Sequence, residues 1–393
     1  MPELDPLEEL QQGLADLDAA GLRRHRRVVT TPCQPETRLA GRDSPVIAFC
    51  SNDYLGLAAE PAIAAALRAG SERWGSGAGA SHLVSGHYAP HEALEARLAA
   101  FVGMDDALYF STGYMANIGV MPALVGRGDA IFADRVNHAS LVDGALLSRA
   151  ELIRYAHCDL AALESRLQAS RAPRKLIVTD GVFSMDGDIA PLREMLALAE
   201  RHKAWLLVDD AHGFGVLGPQ GRGCLAHFGI QSPRLIYMGT LGKAAGVTGA
   251  FVAGQREVID WLLNRSRSYI FTTGAPPLIA EGLLAALDMI EQGDARRSHL
   301  LHLITRFKAA LHLTRWQRLP SDTPIQPIVI GDNHEALAVS RALDEAGLWV
   351  PAIRPPTVPK GSARLRIVLS AAHTEAQVAH LVTTLMKLER RQP

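Results

Sequence analysis

The sequence predicts an α/β protein with a mainly parallel β-sheet. Between about residues 106 and 255, short apolar runs alternate with helix-like segments. The runs are apolar at consecutive positions, which is typical of strands covered on both faces. Strands of this kind that are joined by helices imply a mainly parallel sheet with helices on its faces. The predicted strands are ALYFS, AIFAD, LIRYA, KLIVTD, AWLLVDD, RLIYM and GAFVAG.

The segments between the predicted strands have helical patterns, and a second type of region follows them. The helical segments include GYMANIGVMPALV, HASLVDGALLSRA, DLAALESRLQAS and PLREMLALAERHK. Long helical patterns then run from about 255 to 313, and QPIVIGD, HEALAVSRALDEAG and ARLRIVLSAAHTEAQVAHLVTTLMKLE indicate a smaller α+β domain. We therefore predict an N-terminal segment at 1–50, a large domain at 51–285 and a small C-terminal domain at 286–393.

Composition and charge exclude several function classes. A formal net charge of −1 gives no electrostatic reason to expect nucleic acid or an acidic membrane as partner. The four cysteines are scattered without a Cys-x-x-Cys pair, so we expect no disulfide and no structural metal. The N-terminus lacks a signal-peptide core, and no run of about 18 apolar residues follows, so a soluble cytoplasmic protein is expected.

Lys243 lies in the loop GTLGKAAGVTG, immediately after the predicted strand RLIYM. The chain has only six lysines, and Lys243 alone follows a strand in a loop of small residues. Small residues let a flat ligand approach the backbone, and a partly desolvated lysine becomes nucleophilic. This combination suits a Schiff base to an aldehyde cofactor, of which pyridoxal phosphate (PLP) is the obvious candidate. The alternative is an ordinary solvated loop lysine.

The segment AWLLVDDAHGFG supplies an acid and a histidine upstream of Lys243. A PLP enzyme needs an acid beside the pyridine nitrogen, because a protonated ring is a better electron sink. Asp209 ends the predicted strand, and His212 follows three residues later. Taken singly, Asp209 could cap a turn and His212 could be a packed core residue. The order acid, histidine, lysine on successive strand ends favours a common catalytic site.

The segment YFSTGYMANIG is predicted to form a strand, a turn and a helix, and the start of the helix is a natural anion site. The first turn of a helix has free N–H groups and a positive dipole end. Gly113 and Tyr114 would supply amides to the cofactor phosphate, and Thr240 a hydroxyl. The simpler interpretation is a helix cap by Ser111 or Thr112, which is compatible with phosphate binding.

Two segments superficially match motifs of other function classes. One of them, WGSGAGASHLVSGH, has the glycines of a dinucleotide-binding loop. It follows a helical pattern, whereas a dinucleotide-binding loop follows a strand. We predict a close backbone passage near the active site or a dimer interface there. The basic run LRRHRR suits a solvated helix face better than a nucleic-acid patch, and a third interpretation is an arginine that reaches a substrate carboxylate.

Eight segments, in chain order, resemble the motifs of the α-oxoamine synthases. This family comprises PLP enzymes of fold type I, the aspartate-aminotransferase-like fold, that condense an amino acid with an acyl thioester. The resemblance implies this fold and activity, and a homodimer. The segments are FCSNDYLGL, LVSGHYAPHEALEARLA, FSTGYMANIG, DRVNHASLVDG, TDGVFSMDGDIAPL, VDDAHGFGVLGPQGRG, GTLGKAAGVTG and AIRPPTVPKGSARLRI.

The resemblance also implies roles around the cofactor. Lys243 forms the Schiff base and later moves protons, and Asp209 pairs with the pyridinium nitrogen. His138 stacks on the ring. The remaining cofactor contacts come from His212 and Ser184 at the phenolic oxygen, from Gly113, Tyr114 and Thr240 at the phosphate, and from Thr272 or Thr273 reaching across from a second subunit. The residues assigned to catalysis are Lys243, His138, Asp209 and His212.

A further set of residues is implied for the substrates. Arg354 grips the amino-acid carboxylate, and Asn52 and His138 lie near the substrate. Arg23 and Thr357 meet the acyl part. The segments AIRPPTVPKGSARLR and SNDYLGL are most similar to family members that use L-alanine and a pimeloyl thioester, on CoA or on acyl carrier protein, in biotin biosynthesis.

Two positions depart from the family pattern. Asp180 stands where many relatives have Glu, and His82 where many have Arg. These departures leave the choice of substrate within the family less well determined than the type of reaction.

Two alternatives to this function stay open. One is a sister enzyme with another acyl group and amino acid, such as glycine C-acetyltransferase. Another is a catalytically silent partner subunit, against which the intact Lys243, Asp209 and His138 argue.

Overall fold

The computed structural model describes residues 5–391. Helices and strands alternate along most of this part of the chain. The helices are α1 (Pro6–Ala19), α2 (Pro61–Trp74), α3 (Ala89–Val102), α4 (Gly113–Leu124), α5 (Ala139–Ser148), α6 (Leu160–Ala169), α7 (Leu192–Arg201), α8 (Cys224–Phe228), α9 (Arg256–Arg265), α10 (Arg267–Ile270), α11 (Pro277–Glu291), α12 (Asp294–Ala310), α13 (Asn333–Glu345) and α14 (Glu375–Arg391). The strands are β1 (Glu36–Thr37), β2 (Val46–Ala48), β3 (Asp106–Phe110), β4 (Ala130–Asp134), β5 (Glu151–Tyr155), β6 (Lys175–Asp180), β7 (Trp205–Asp209), β8 (Leu235–Thr240), β9 (Ala250–Gly254), β10 (Gln317–Arg318), β11 (Ile325–Gly331), β12 (Leu348–Trp349), β13 (Ala352–Ile353) and β14 (Ala363–Val368).

The chain divides into two compact units. The large unit contains residues 53–184 and 188–298. The small unit contains the chain up to residue 52, residues 185–187 and the chain from residue 299 onward. The domain boundaries at residues 50 and 285 stay predictions, and residue 285 falls within α11.

The large unit is built around a seven-stranded sheet with the strand order β3-β9-β8-β7-β6-β4-β5. Each neighbouring pair from β8 to β5 is parallel, and β9 runs antiparallel to both β3 and β8. Helices connect the parallel strands, as the alternation of patterns predicts. The predicted α/β fold with a mainly parallel sheet is therefore confirmed.

The central strands are apolar at consecutive positions, apart from polar residues at their ends, because helices cover both faces of the sheet. All five residues of β4 and all five of β9 are buried. One core cluster joins these strands to α4 and α5, and its members include Phe110, Val120, Met121, Ile131, Leu141, Leu176 and Ile236. Fully burying one such side chain contributes about 1.5–3 kcal/mol, so this core holds the strand ends in fixed positions.

The small unit contains two further sheets. One has the order β10-β11-β14-β13, and all of its neighbours are antiparallel. The other has the order β1-β2-β12, in which β2 and β12 are parallel. The helices α13 and α14 follow β11 and β14 in sequence. The segments QPIVIGD, HEALAVSRALDEAG and ARLRIVLSAAHTEAQVAHLVTTLMKLE thus form the strands and helices that the sequence predicts.

Within residues 5–391, none of the helices combines the length and the apolar character that a membrane span requires.

His373 in the small unit is buried and makes hydrogen bonds through both ring nitrogens. Its Nδ1 accepts from Ser370 N at 2.9 Å, and its Nε2 donates to Ala48 O at 3.0 Å. Burial lowers the pKa of His373 to about 4, and the two backbone hydrogen bonds oppose this shift. The folded protein therefore holds His373 neutral where the unfolded chain, with a pKa near 6.5, takes up a proton.

We expect the stability of the unloaded protein to fall as the pH drops from 6.5 towards 4. The folded pKa is the lower one, so the His373 contribution is present above pH 6.5 and is lost as the pH falls through 4. Urea midpoints at several pH values measure this slope, compared with His373→Phe, which cannot titrate. An equal slope in both proteins would contradict the prediction.

Candidate active site

The carboxyl ends of three neighbouring strands bring polar side chains to one edge of the large sheet. β6 ends at Asp180, β7 at Asp209 and β8 at Thr240. Asp180 and Asp209 are paired residues in the β6–β7 ladder. In open parallel sheets, ligands bind outside this edge. The loops that follow β7 and β8 carry His212 and Lys243.

Lys243 is half-buried, and its amine contacts a histidine. Lys243 Nζ lies 2.9 Å from His212 Nε2. The other ring nitrogen, His212 Nδ1, lies 2.5 Å from the hydroxyl of Tyr54, which is fully buried. Lys243, His212 and Tyr54 thus form one hydrogen-bonded chain. It can redistribute protons at the amine, because each ring nitrogen either donates or accepts.

Asp209 is buried, and both of its carboxylate oxygens accept hydrogen bonds. Oδ2 accepts from Asn117 Nδ2 at 2.7 Å, and Oδ1 accepts from Ala211 N at 3.1 Å. Asn117 is fully buried on α4 and also donates to Ser140 Oγ at 2.9 Å. These donors fix the orientation of the carboxylate. Asp209 can therefore stabilise a cation such as a pyridinium nitrogen.

His138 is the residue that caps the N-terminus of α5. Its Nδ1 accepts from Ser140 N at 3.3 Å and lies 2.7 Å from Ser140 Oγ, while its backbone N–H donates to Asp180 Oδ2 at 2.7 Å. Burial lowers the pKa of His138, with Lys243 adding to this and Asp209 opposing it. The lowered pKa favours the uncharged form of the His138 ring, whose flat faces suit stacking on a cofactor.

Asp180 is buried and lies beside Asp209 in the sheet. Its pKa is raised well above the ordinary value, first by burial and then by the negative charge of Asp209, while the His138 amide and Lys243 oppose this shift. The side chain holds the loop before α5, because it accepts the His138 N–H. Asp180, which the sequence marked as a departure from the family, thus sets the position of His138.

The N-terminus of α4 offers donors for an anion. Thr112 caps the helix by accepting from Met115 N at 3.1 Å. Gly113 and Tyr114 begin the helix, where N–H groups lack intrahelical partners. A Cβ added to Gly113 would lie 3.8 Å from Thr240 Oγ1. The amides and this hydroxyl therefore lie close enough to serve one phosphate group.

Three other residues assigned to the cofactor lie in loops of the large unit. Ser184 is partly buried, in the loop after β6. Thr272 is partly buried and Thr273 is exposed, and both lie between α10 and α11. The Tyr114 side chain, whose amide faces the anion site, donates its hydroxyl to Asp143. The role of Thr272 or Thr273 in a second subunit stays a prediction.

His82 is the second position that departs from the family pattern. It is buried in the large unit, stacked on Tyr269 with ring centroids 5.0 Å apart, and its Nδ1 lies 3.0 Å from His87 Nδ1. Burial, assisted by His91 and His87, lowers the pKa of His82 to about 4. An uncharged imidazole therefore occupies the position where many relatives have a charged guanidinium.

Four of the residues predicted to bind substrate, Arg23, Asn52, Arg354 and Thr357, lie in the small unit, and His138 lies in the large unit. Arg354 is partly buried and donates to Gly21 O, and burial together with the charge of Arg24 lowers its pKa. Thr357 accepts from Arg24 at 3.4 Å, whereas Arg23 bonds to Asp18 at 2.5 Å. Arg24 rather than Arg23 is thus the arginine of LRRHRR that reaches Thr357.

Asn52 is positioned by a buried arginine of the same unit. Arg366, on β14, donates from Nη2 to Asn52 Oδ1 at 3.1 Å. Arg366 is almost completely buried. The motif SNDYLGL is therefore fixed on its Asn52 side by a charged donor from β14.

Sequence reasoning missed two residues that contact the candidate catalytic groups. Tyr54 bonds His212, and Asn117 bonds Asp209. Each stands in a segment that the sequence had singled out, SNDYLGL and YFSTGYMANIG. Asn117 lies four residues after Gly113 on a helix, hence on the same face, and this spacing could have identified it.

The residues of the site together fit PLP. They offer a lysine amine, an anchored carboxylate, a flat imidazole and a helix N-terminus.

Comparison with known proteins agrees with this geometry. A model of the family "aminotransferase class I and II" matches residues 44–385. The chain therefore belongs to the class I and II aminotransferase family, within which its resemblance to the α-oxoamine synthases is confirmed.

Individual relatives are similar over almost their whole length. The 8-amino-7-oxononanoate synthase of Azoarcus sp. (strain BH72) is 68% identical over 98% of this chain and 98% of its own. That of Aromatoleum aromaticum is 67% identical over 98% of this chain and 99% of its own. A serine palmitoyltransferase from S. paucimobilis, solved with PLP and myriocin bound, matches with a TM-score of 0.91 at 30% identity, over 98% of this chain and 99% of that chain.

Proposed function

We propose that the protein is an 8-amino-7-oxononanoate synthase. It condenses L-alanine with a pimeloyl thioester, releasing CO₂ and a thiol. The proposal rests chiefly on the full-length identity of 67–68% to relatives that carry this name. The intact set of Lys243, Asp209, His138 and His212 supports a catalytic chain over a silent partner subunit.

PLP supplies an electron sink for the carbanion at Cα of the bound amino acid. Lys243 Nζ would hold the cofactor aldehyde, take the proton from Cα and return a proton at the end. Asp209, oriented by Asn117, would pair with the ring nitrogen. His138 would stack on the ring, and His212 with Ser184 would serve the phenolic oxygen. Gly113, Tyr114 and Thr240 would hold the phosphate.

Residues of the small unit serve the substrates. Arg354 binds the alanine carboxylate so that the Cα–H bond is oriented for proton removal. A carbon–carbon bond then forms between Cα and the thioester carbonyl carbon, the thiol leaves, and the alanine carboxylate departs as CO₂. Asn52 lies near the amino acid, and Arg23 and Thr357 serve the acyl chain. The contact between Arg24 and Thr357 supports an additional role for Arg24 on the acyl side.

The protein acts as a homodimer in the cytoplasm, with Thr272 or Thr273 completing the phosphate site of the neighbouring subunit. The acyl donor is pimeloyl-CoA or pimeloyl acyl carrier protein. These assignments follow from the family resemblance.

We expect thiol release with L-alanine and pimeloyl-CoA to exceed release with glycine and acetyl-CoA by at least about tenfold. A pocket that matches its substrate gains about 1–3 kcal/mol per additional methylene, so a long acyl chain is readily distinguished. Thiol release is followed with a thiol reagent, and mass spectrometry identifies the product. Repeating the assay with pimeloyl acyl carrier protein distinguishes the two acyl carriers. Faster turnover of glycine and acetyl-CoA would favour a glycine C-acetyltransferase instead.

A further inference from the structure

Tyr54 contacts the histidine that contacts the candidate Schiff-base lysine. Its hydroxyl lies 2.5 Å from His212 Nδ1, and His212 Nε2 lies 2.9 Å from Lys243 Nζ. We propose that Tyr54 is a positioning residue, which holds His212 in the tautomer that presents Nε2–H to the Lys243 amine. The inference rests on the proposed function in so far as Lys243 is the amine that holds the cofactor.

The loop that carries Tyr54 is rigid. Asp53 Oδ1 accepts from Leu57 N at 2.8 Å, and Asp53 Oδ2 accepts from Ala58 N at 3.0 Å. Asp53 O also accepts from Gly56 N at 3.2 Å. The Tyr54 ring is fully buried. The hydroxyl is therefore held at one position rather than sampling several.

The Tyr54 loop packs directly on the loop of Lys243. Gly246 has φ +69°, and a Cβ added there would lie 2.4 Å from Ala58 N and 2.6 Å from Leu57 C. The loop after β8 can approach this closely because residue 246 is a glycine with a left-handed conformation. Gly246 N also donates to Lys243 O at 2.9 Å. The distance between the Tyr54 hydroxyl and the amine is thus set by backbone contacts.

The tautomer follows from the strengths of two possible hydrogen bonds. A neutral imidazole has one N–H and one bare nitrogen. A phenol is a better donor than an imidazole N–H, and an imidazole nitrogen is a better acceptor than a phenol oxygen. Tyr54 O–H therefore donates to Nδ1, which leaves the hydrogen on Nε2. An Nε2–H next to Nζ favours the uncharged amine, which is the nucleophilic form.

Other charged groups act on the same amine. Asp180 and His138 interact electrostatically with Lys243, and Asp209 interacts with both of them. Asp180, when ionised, favours the ammonium form of Lys243, so a tautomer of His212 that favours the neutral amine acts against it. A variant at Tyr54 leaves all three groups in place, and the His212→Gln background isolates the part of its effect that passes through the imidazole.

The test measures the Lys243 amine directly in the full chain without cofactor. Lys243 is acetylated with a small excess of acetic anhydride at a series of pH values, and its peptide is quantified by mass spectrometry. Tyr54→Phe is expected to raise the pH of half-reaction by about one unit, a tenfold loss of neutral amine at a given pH. His212→Gln is expected to abolish the difference, so Tyr54→Phe in that background should add no shift.

Tyr109→Phe is the matched control. Tyr109 lies in the same unit, is fully buried, and its hydroxyl has no hydrogen-bond partner within residues 5–391. In Tyr109→Phe, the pH at which half of Lys243 is acetylated is expected to equal that of the unmodified chain. Thermal melting of each variant shows that it is folded.

Three results would overturn the inference. They are an unchanged half-reaction pH in folded Tyr54→Phe, a shift that persists in the His212→Gln background, and an equal shift in Tyr109→Phe. If Tyr54→Phe does not fold, ¹⁵N NMR of the unmodified chain with labelled histidines determines which nitrogen of His212 carries the hydrogen. The His212 signal is identified as the one that is lost in His212→Gln. A hydrogen on Nδ1 would then refute the tautomer. None of these measurements uses the acyl substrate, so a different substrate in the activity assay would overturn the proposed function alone.

Discussion

Lys243→Ala is expected to abolish turnover and the visible absorbance that PLP acquires when it is attached to a lysine. One positioned acid–base group contributes about 10²–10⁴-fold, and in the proposed function Lys243 also attaches the cofactor, so the loss should exceed about 10⁴-fold. Borohydride reduction of the unmodified enzyme followed by peptide mapping should place the label on Lys243.

Lys387→Ala is a suitable control, because Lys387 is exposed on the long helix α14 of the small unit. Alanine is a good helix former, so this variant should keep its fold and its activity. Label on a peptide without Lys243, or normal turnover of Lys243→Ala, would refute the assignment.

The strands of the large unit were predictable because their environment is uniform. Runs such as AIFAD and GAFVAG are apolar at consecutive positions, and all residues of the strands they form are buried. Short apolar runs that alternate with helical segments indicate strands buried on both faces. The single antiparallel strand β9 was not distinguishable, because an antiparallel strand at this place in the order is as apolar as its parallel neighbours.

The candidate site was partly predictable for a related reason. Parallel strands bring their carboxyl ends to one edge, so Asp209 and Lys243 could be associated from sequence alone. The partners of these two residues were harder to predict. Asn117 reaches Asp209 from a helix 92 positions earlier, and Tyr54 reaches His212 from a loop 158 positions earlier. The helical spacing from Gly113 places Asn117 on the face of the anion site, but its contact with Asp209, like that of Tyr54 with His212, depends on tertiary packing.

The adjacent acids Asp209 and Asp210 show where the sequence was most ambiguous. Both are buried at the end of β7, yet their carboxylates accept hydrogen bonds from different residues. Asp209 is bonded to Asn117, whereas Asp210 accepts from Cys224 N at 2.6 Å and from the Tyr237 hydroxyl at 2.8 Å. Burial raises the pKa of Asp210 to about 6, with the Cys224 and Tyr237 hydrogen bonds opposing the shift. Alternation of side chains along the strand separates the two acids.

This contrast defines the second large prediction. Asp209→Asn should lower kcat/KM by about 10²–10³-fold, the loss typical of removing one preorganised electrostatic contact from a developing charge. Asparagine has nearly the same shape as aspartate, so the loss of kcat/KM reports the loss of the charge proposed to pair with the cofactor ring rather than the creation of a cavity. Cofactor affinity should also weaken, as measured by titrating PLP into the unloaded protein and following its absorbance.

Asp210→Asn is the matched control, one residue away and equally buried. Its side-chain oxygen can still accept from Cys224 N and Tyr237, so its effect on kcat/KM should be less than about tenfold, with a lower unfolding midpoint as its main consequence. Asn117→Leu should resemble a weaker form of Asp209→Asn, because the carboxylate is kept but loses the donor that orients it. If Asp210→Asn proved as damaging to kcat/KM as Asp209→Asn, the electron-sink role could not be assigned to Asp209 alone. If Asn117→Leu left both kcat/KM and PLP affinity unchanged, orientation of the carboxylate by α4 would have no part in the reaction.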